Sequence, residues 1–247
     1  MRKNTTDAQR SRDADALRAA YGREGCPVCM VVLQYLELAM DSWEYEGFTD
    51  EELRHQLIRS RGFCPLHTWQ LAQRHNAFRL GLIYNEILTD VLQGLDGDNS
   101  KRSSAGLPAP KRGSIWNGGW RKRRRQAGVR PVFEHCPFCQ SRASAQDRLI
   151  STLVQMLDAE EDRTLFSQST GLCLTHFTLA RQFAQERFPV IVPHLLACQR
   201  ICLRRVLEEV RELARKHDYR FSDEPRGDEM LSWRRAAELC AGNPGVW

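Results

Sequence analysis

Residues 61–67 read RGFCPLH: a glycine, then a cysteine, then a histidine three positions further on. One C-x2-H pair carries little information by itself. It gains meaning from its partners. GLCLTH at 171–176 repeats the pattern, and each copy is preceded by a C-x2-C pair, CPVC at 26–29 and CPFC at 136–139. The two sets are C-x2-C-x34-C-x2-H and C-x2-C-x33-C-x2-H, with the cysteine pairs 110 residues apart and the C-x2-H pairs 109 apart. Eight residues recurring in one order with a single residue of slippage argue for duplication of one unit.

The surrounding sequence reads as helix throughout. After CPVC, the apolar residues of MVVLQYLELAMDSWEYE crowd one side at helical spacing. Thr49 and Glu52 stand three apart, a capping box for a second helix running to about Ser60 and stopping at Gly62. A third helix is expected from near Cys64, and AFRLGLIYNEILTDVLQGL is a fourth. In the second repeat come RLISTLVQMLDAE, a short piece ending before Gly171, a helix from about Cys173, and a long one through PHLLACQRICLRRVLEEVRELARKH. No run alternates as a strand does. The expectation is an all-α chain of two homologous helical units, each bearing a Cys3His metal site and joined by a basic flexible linker. The boundaries read as an N-terminal extension 1–23, a first unit 24–95, a Gly/Ser/Pro-rich linker 96–131, a second unit 132–217 and a tail 218–247 whose GDEMLSWRRAAELC suggests one short helix.

At 247 residues the chain can bury one large core or two small ones. No apolar run approaches a bilayer span, and the basic N-terminus lacks the apolar stretch of a secretory signal. A cytoplasmic location is therefore expected. There, nine cysteines point to metal binding or thiol chemistry rather than a disulfide framework.

A C-x2-C turn brings two sulfurs to one ion, and C-x2-H does so for a sulfur and an imidazole. Together they form a Cys3His set, a tetrahedral zinc environment with no open position. The ligands are Cys26, Cys29, Cys64 and His67, with Cys136, Cys139, Cys173 and His176, for two zinc ions per chain. Pro27 and Pro137 suit the first position of a helix, Gly62 and Gly171 permit a sharp turn, and helix N-termini favour anionic thiolates. An iron–sulfur cluster with one histidine ligand is the alternative cofactor, since thiolates suit both. Spacing leaves open whether each unit closes its own site or the CxxC of one joins the CxxH of the other.

Thiol–disulfide catalysis is the competing reading of the CxxC pairs, but a thioredoxin-like motif needs a βαβ setting that is absent here. Helical peroxidase-type proteins pair CxxC with a histidine and an acid, and Glu24 and His135 occupy non-equivalent places. Met30 and Gln140 follow the pairs, which excludes covalent haem attachment. Cys198 and Cys202 share a helical stripe with His194 and read as core residues. Cys240 is isolated. His55, His75 and His217 read as surface histidines, and His135 is a substitute ligand beside Cys136. No glycine elbow or phosphate loop marks a catalytic centre.

Two CPxC…G[FL]CxxH sets in a helical chain resemble a bacterial family of unknown function, domain of unknown function 6062. SRGFCPLHTWQLA and GLCLTHF are similar to its recurring segments, and the resemblance covers residues 24–95 and 134–215. It implies a helical fold with paired Cys/His sites at the eight positions named, and no activity. The arginine-rich linker and the C-terminal extension depart from its pattern.

The net charge of +5 conceals a strong asymmetry. Residues 101–130 hold ten Lys/Arg and no acid; taking those ten from 36 leaves 26 against 31 Asp/Glu, a balance of −5. Within this stretch Trp116 and Trp120 adjoin Arg121, Lys122, Arg123, Arg124 and Arg125. Cations offset phosphate charge and indoles stack on bases, which suits nucleic acid. An acidic protein surface, an anionic membrane surface or a merely solvated linker fits as well. The expected function is a noncatalytic metal-binding protein, with structural zinc and an anionic partner at the linker.

Overall fold

Ten α-helices and no strand make up the described part of a computed structural model, residues 2–74, 77–96, 136–221 and 223–246. They are α1 (Arg2–Tyr21), α2 (Pro27–Tyr45), α3 (Glu51–Ser60), α4 (Pro65–Gln73), α5 (Ala77–Asp96), α6 (Pro137–Met156), α7 (Glu160–Gln168), α8 (Leu174–Arg187), α9 (Val192–Lys216) and α10 (Ser232–Ala241). Trp116, Trp120 and the cationic run Arg121, Lys122, Arg123, Arg124, Arg125 lie outside the described residues, as do His75 and His135.

The chain divides into two compact units. One comprises Met1–Trp43 with Pro137–Trp247, the other Glu44–Cys136. In the first, α1 lies against α6 and α7, α6 against α8, α7 against α9, and α10 against α8 and α9. Its core holds Leu17, Val28, Leu149, Leu153, Leu157, Phe166, Leu172 and Leu195, none of them exposed at all. Each such side chain contributes about 1.5–3 kcal/mol by leaving water. Tyr21 meets the edge of Phe166 at 5.7 Å between ring centres, and Trp43 meets Phe138 at 6.4 Å.

Helix α1 has almost no apolar stripe, and polar bonds secure it. Arg18 donates to both oxygens of buried Asp162 at 2.8 and 2.9 Å. Asp13 is buried and accepts from Tyr35 Oη at 2.6 Å, Arg148 Nε at 3.1 Å and Gln9 Nε2 at 3.0 Å. Charge-assisted bonds of this kind are the strong ones, and they fasten α1 to α2, α6 and α7.

In the second unit α5 packs on α3 and α4 over Leu57, Phe63, Leu71, Leu80, Ile83 and Ile87. Arg54 donates to Glu86, and Arg74 to Glu44 at 3.1 Å. The capping residue of α3 is Asp50, whose carboxylate accepts from Leu53 N at 3.1 Å. The expected cap, Thr49, instead closes a 3-10 turn by donating to Glu46 O. Helix α3 ends on Arg61 in the left-handed region (φ 57°), followed by Gly62 (φ 102°).

Candidate metal centres

Each of the four half-motifs begins at a helix start. Cys26 and Cys136 directly precede α2 and α6, which open on Pro27 and Pro137. Cys64 and Cys173 are the N-caps of α4 and α8, with nearly identical dihedrals of −65°, 161° and −63°, 158°. The second donor of each pair, Cys29, His67, Cys139 or His176, lies three residues on, one turn into the helix. Both donors therefore point off the N-terminal end, where unpaired N–H groups and the helix dipole favour anionic sulfur.

The turn into each C-x2-H pair is built alike. Ser60 and Ser169, both buried, donate to the carbonyls three residues back, Leu57 O at 3.3 Å and Phe166 O at 2.7 Å. Gly62 and Gly171 then adopt positive φ, 102° and 87°. A Cβ on Gly171 would lie 2.7 Å from Cys202 Cβ, so only glycine fits. Buried Gln199 of α9 holds the next residue at both ends, accepting from Leu172 N at 2.9 Å and donating to Leu172 O at 2.8 Å. The shared S-x-G-[FL]-C pattern, at 60–64 and 169–173, was visible in the sequence as a longer repeat than the glycine and cysteine alone.

These elements gather the eight sequence-derived positions into two groups, Cys26, Cys29, Cys173 and His176, and Cys64, His67, Cys136 and Cys139. In each group the ligand atoms lie within 4.8 Å of one another, and a metal ion could be held there. Of the two closures the spacing allows, the exchanged one is adopted: the CxxC of either repeat meets the CxxH of the other. None of the nine cysteines is in a disulfide.

In the first group His176 Nδ1 stands 3.5, 3.3 and 3.3 Å from the sulfurs of Cys26, Cys29 and Cys173, and Cys29 Sγ is 3.8 Å from Cys173 Sγ. All four residues are buried. With Nδ1 turned to the sulfurs, Nε2 carries the ring proton and donates to Gln146 Oε1 at 3.3 Å. Hydrogen bonds from the Cys26 and Cys29 thiols draw Cys173 far below the usual thiol range. Burial pushes Cys26 well above that range, and the bond to Cys173 pushes Cys29 up to about 12.

The C-terminal tail completes this group, which the sequence did not reveal. Asn243 Oδ1 accepts the Cys26 backbone N–H at 3.2 Å, and the Asn243 backbone N–H reaches the Cys29 sulfur. Gly25 (φ 102°) makes room, since a Cβ there would lie 2.7 Å from Asn243 Nδ2. Val246 is fully buried, and its carbonyl accepts from Arg142 at 3.0 Å.

In the second group Cys64 Sγ is 2.9 Å and Cys136 Sγ 3.5 Å from His67 Nδ1. Cys139, one turn after Cys136, completes the set and is the one partly exposed member of the eight. Cys198 and Cys202 join neither group. They are core residues whose thiols donate to the carbonyls of Arg163 and Phe166, and burial holds Cys202 up at about 11. Cys240 is exposed.

Among the described residues no helix is long and apolar enough to cross a membrane. No curated protein and no solved structure matches the chain. A family model does, over residues 15–244, so with its helices, exchanged Cys/His groups and tail accounted for, the chain belongs to the family of unknown function DUF6062.

Proposed function

We infer that this is a noncatalytic metal-binding protein in which two structural zinc ions fasten helices into a binding scaffold. The observation that carries the reading is the spacing of the donors. Tetrahedral zinc, with bonds of about 2.3 Å to sulfur and about 2.0–2.1 Å to nitrogen, sets its ligand atoms about 3.5–3.8 Å apart. The first group spans 3.3–3.8 Å between the paired atoms given above, without a disulfide. A cluster of several iron atoms would hold its thiolates further apart than one ion does, so four donors within 4.8 Å favour a mononuclear ion. Cys26, Cys29, Cys173 and His176 would hold one ion, and Cys64, His67, Cys136 and Cys139 the other. A divalent cation would supply a cross-link between distant segments. Such sites contribute folding energy directly.

The basic segment 101–130 is the part we assign to an anionic partner, nucleic acid before an acidic protein surface, through Trp116, Trp120, Arg121, Lys122, Arg123, Arg124 and Arg125. Ten cations without an acid favour a salt-sensitive, sequence-independent contact with phosphates. The domain boundaries drawn from the repeats, 24–95 and 132–217 about that linker, belong to this proposal, as does a cytoplasmic setting.

Elemental analysis of anaerobically purified protein, with an ultraviolet–visible spectrum of the same sample, tests the metal. Two zinc ions per chain and no colour are expected; iron with sulfide absorption would overturn the assignment. Deleting residues 121–125 and measuring oligonucleotide binding against salt tests the partner. Unchanged affinity, or no binding by the intact chain, would remove it.

A further inference from the structure

The segment that follows α10 has few anchors of its own. Of residues 242–246 only Val246 buries an apolar side chain, while Asn243 is half-buried and Pro244 exposed. Gly242 (φ 83°) and Gly245 (φ 89°) stand on either side of Asn243 and Pro244 in the left-handed region, and glycine gives up the most freedom on ordering. Fixing five such residues costs more than one buried valine and the bond from Arg142 to its carbonyl return. The difference is made up at the first Cys/His group.

That group supplies both the contacts and their seat. Asn243 Oδ1 accepts the Cys26 N–H at 3.2 Å, and the Asn243 N–H reaches the Cys29 sulfur. Gly25, against which Asn243 lies, donates its own N–H to Thr170 Oγ1 at 3.2 Å. The seat is therefore two turns tied together across 145 residues, one leading into Cys26 and the other into Cys173. An ion held by Cys26, Cys29, Cys173 and His176 would clamp those two turns. It would also make the Cys29 sulfur a charged acceptor, whose hydrogen bonds are about twice as strong as neutral ones.

We propose that residues 242–246 form a metal-gated strap: an ion in the first group holds the strap down, and loss of the ion frees it and uncovers the Cys26 turn. The first centre is then a switch as well as a brace. The strap rests on the metal assignment of that group. Such coupling is reciprocal, so loosening the strap at its far end must also weaken the hold on the ion. Val246, three residues beyond Asn243 and itself no ligand, is that far end.

Hydrogen exchange of the full chain, read by mass spectrometry on the peptide from residue 242 onward, tests the strap, with the zinc content of each sample measured alongside. In the zinc-loaded chain this peptide should exchange slowly. Cys173→Ser removes a donor but leaves the partners of Asn243 in place; it should cost one zinc and speed exchange of the peptide roughly tenfold or more, while α9 stays protected. Val246→Ser keeps all eight donors, so it reads the coupling without disturbing either Cys/His group. It should raise the zinc dissociation constant of one ion roughly tenfold or more and leave the other unchanged. Loss of one zinc with the peptide still protected would break the coupling. So would a Val246→Ser chain whose peptide exchanges fast while both ions are held as tightly as in the wild type. A purified chain without metal would instead remove the metal assignment, and the strap with it.

Discussion

Asn243 accepts the backbone N–H of Cys26 at 3.2 Å, tying the last turn of the chain to its first cysteine across 217 residues. With its own N–H on the Cys29 sulfur, this asparagine supports both halves of the CPVC pair. A residue that orients ligands in this way governs how readily an ion leaves.

Asn243→Ala should therefore leave the fold largely intact, at a cost of about 1 kcal/mol for the lost hydrogen bond. It should speed the release of one of the two ions. Chelator-driven release followed with a coloured zinc indicator would show two phases, only one of them accelerated. Release unchanged in both phases would reduce the tail to packing.

Gly171→Ala places a Cβ 2.7 Å from Cys202 Cβ at a φ of 87°. Left-handed backbone strain alone costs about 1–3 kcal/mol, and there is no room to relax it. The urea midpoint should fall accordingly. Gly22→Ala, where a Cβ meets nothing within 4 Å, should be nearly neutral.

Asp13→Ala removes the acceptor shared by Tyr35 and Arg148 and should cost about 1.5–3 kcal/mol, as losing a charged hydrogen-bond acceptor does, since Arg148 is partly exposed and is not left as a buried charge. Tyr35 gives the matching pH signature. Burial and its bond to Asp13 raise its hydroxyl from 10.0 to about 12. Its folded value lies above its unfolded one, so its contribution is complete below pH 10 and is lost as pH rises toward 12. Denaturant melts across that window should show a weaker decline for Tyr35→Phe than for the wild type.

The helices that bury an apolar stripe were legible in the sequence; those held by polar contacts were not. Helix α2 follows from MVVLQYLELAM, and α9 from its long amphipathic run. Helix α1 escaped, because RKNTTDAQRSRDADALRAAY has apolar anchors only at its end and is fixed by Asp13 and Arg18. Pro137 marked the start of α6, but the stretch after it was not legible as helix, because FCQSRASAQD is polar and lacks an apolar period. The α3 cap was misplaced by one residue because Thr49 and Asp50 are both capable caps, and the preceding 3-10 turn uses Thr49. All eight donors were legible from spacing, but their pairing was not. Intervals of 34 and 33 residues make the two CxxH pairs interchangeable partners for either CxxC. Asn243 was hidden because one polar residue in a tail has no sequence partner to mark it.

Metal retention should also depend on pH in the direction ligand protonation dictates. Thiolates and a neutral imidazole are needed to bind, so acidification releases the ions, and loss of helicity should accompany release. Circular dichroism and indicator absorbance recorded in one acid titration should move together. A chain that loses its ions while keeping its full helicity and melting temperature would show that metal is not structural here.

The exchanged pairing of the motifs is the central claim, and the metal content of one double variant, Cys29→Ser with Cys173→Ser, tests it most directly. These cysteines come from different repeats but lie 3.8 Å apart in one group. The double variant should therefore lose a single zinc ion and keep the one held by Cys64, His67, Cys136 and Cys139. Loss of both ions would show that each repeat closes its own site, and retention of both would show that these sulfurs hold no metal.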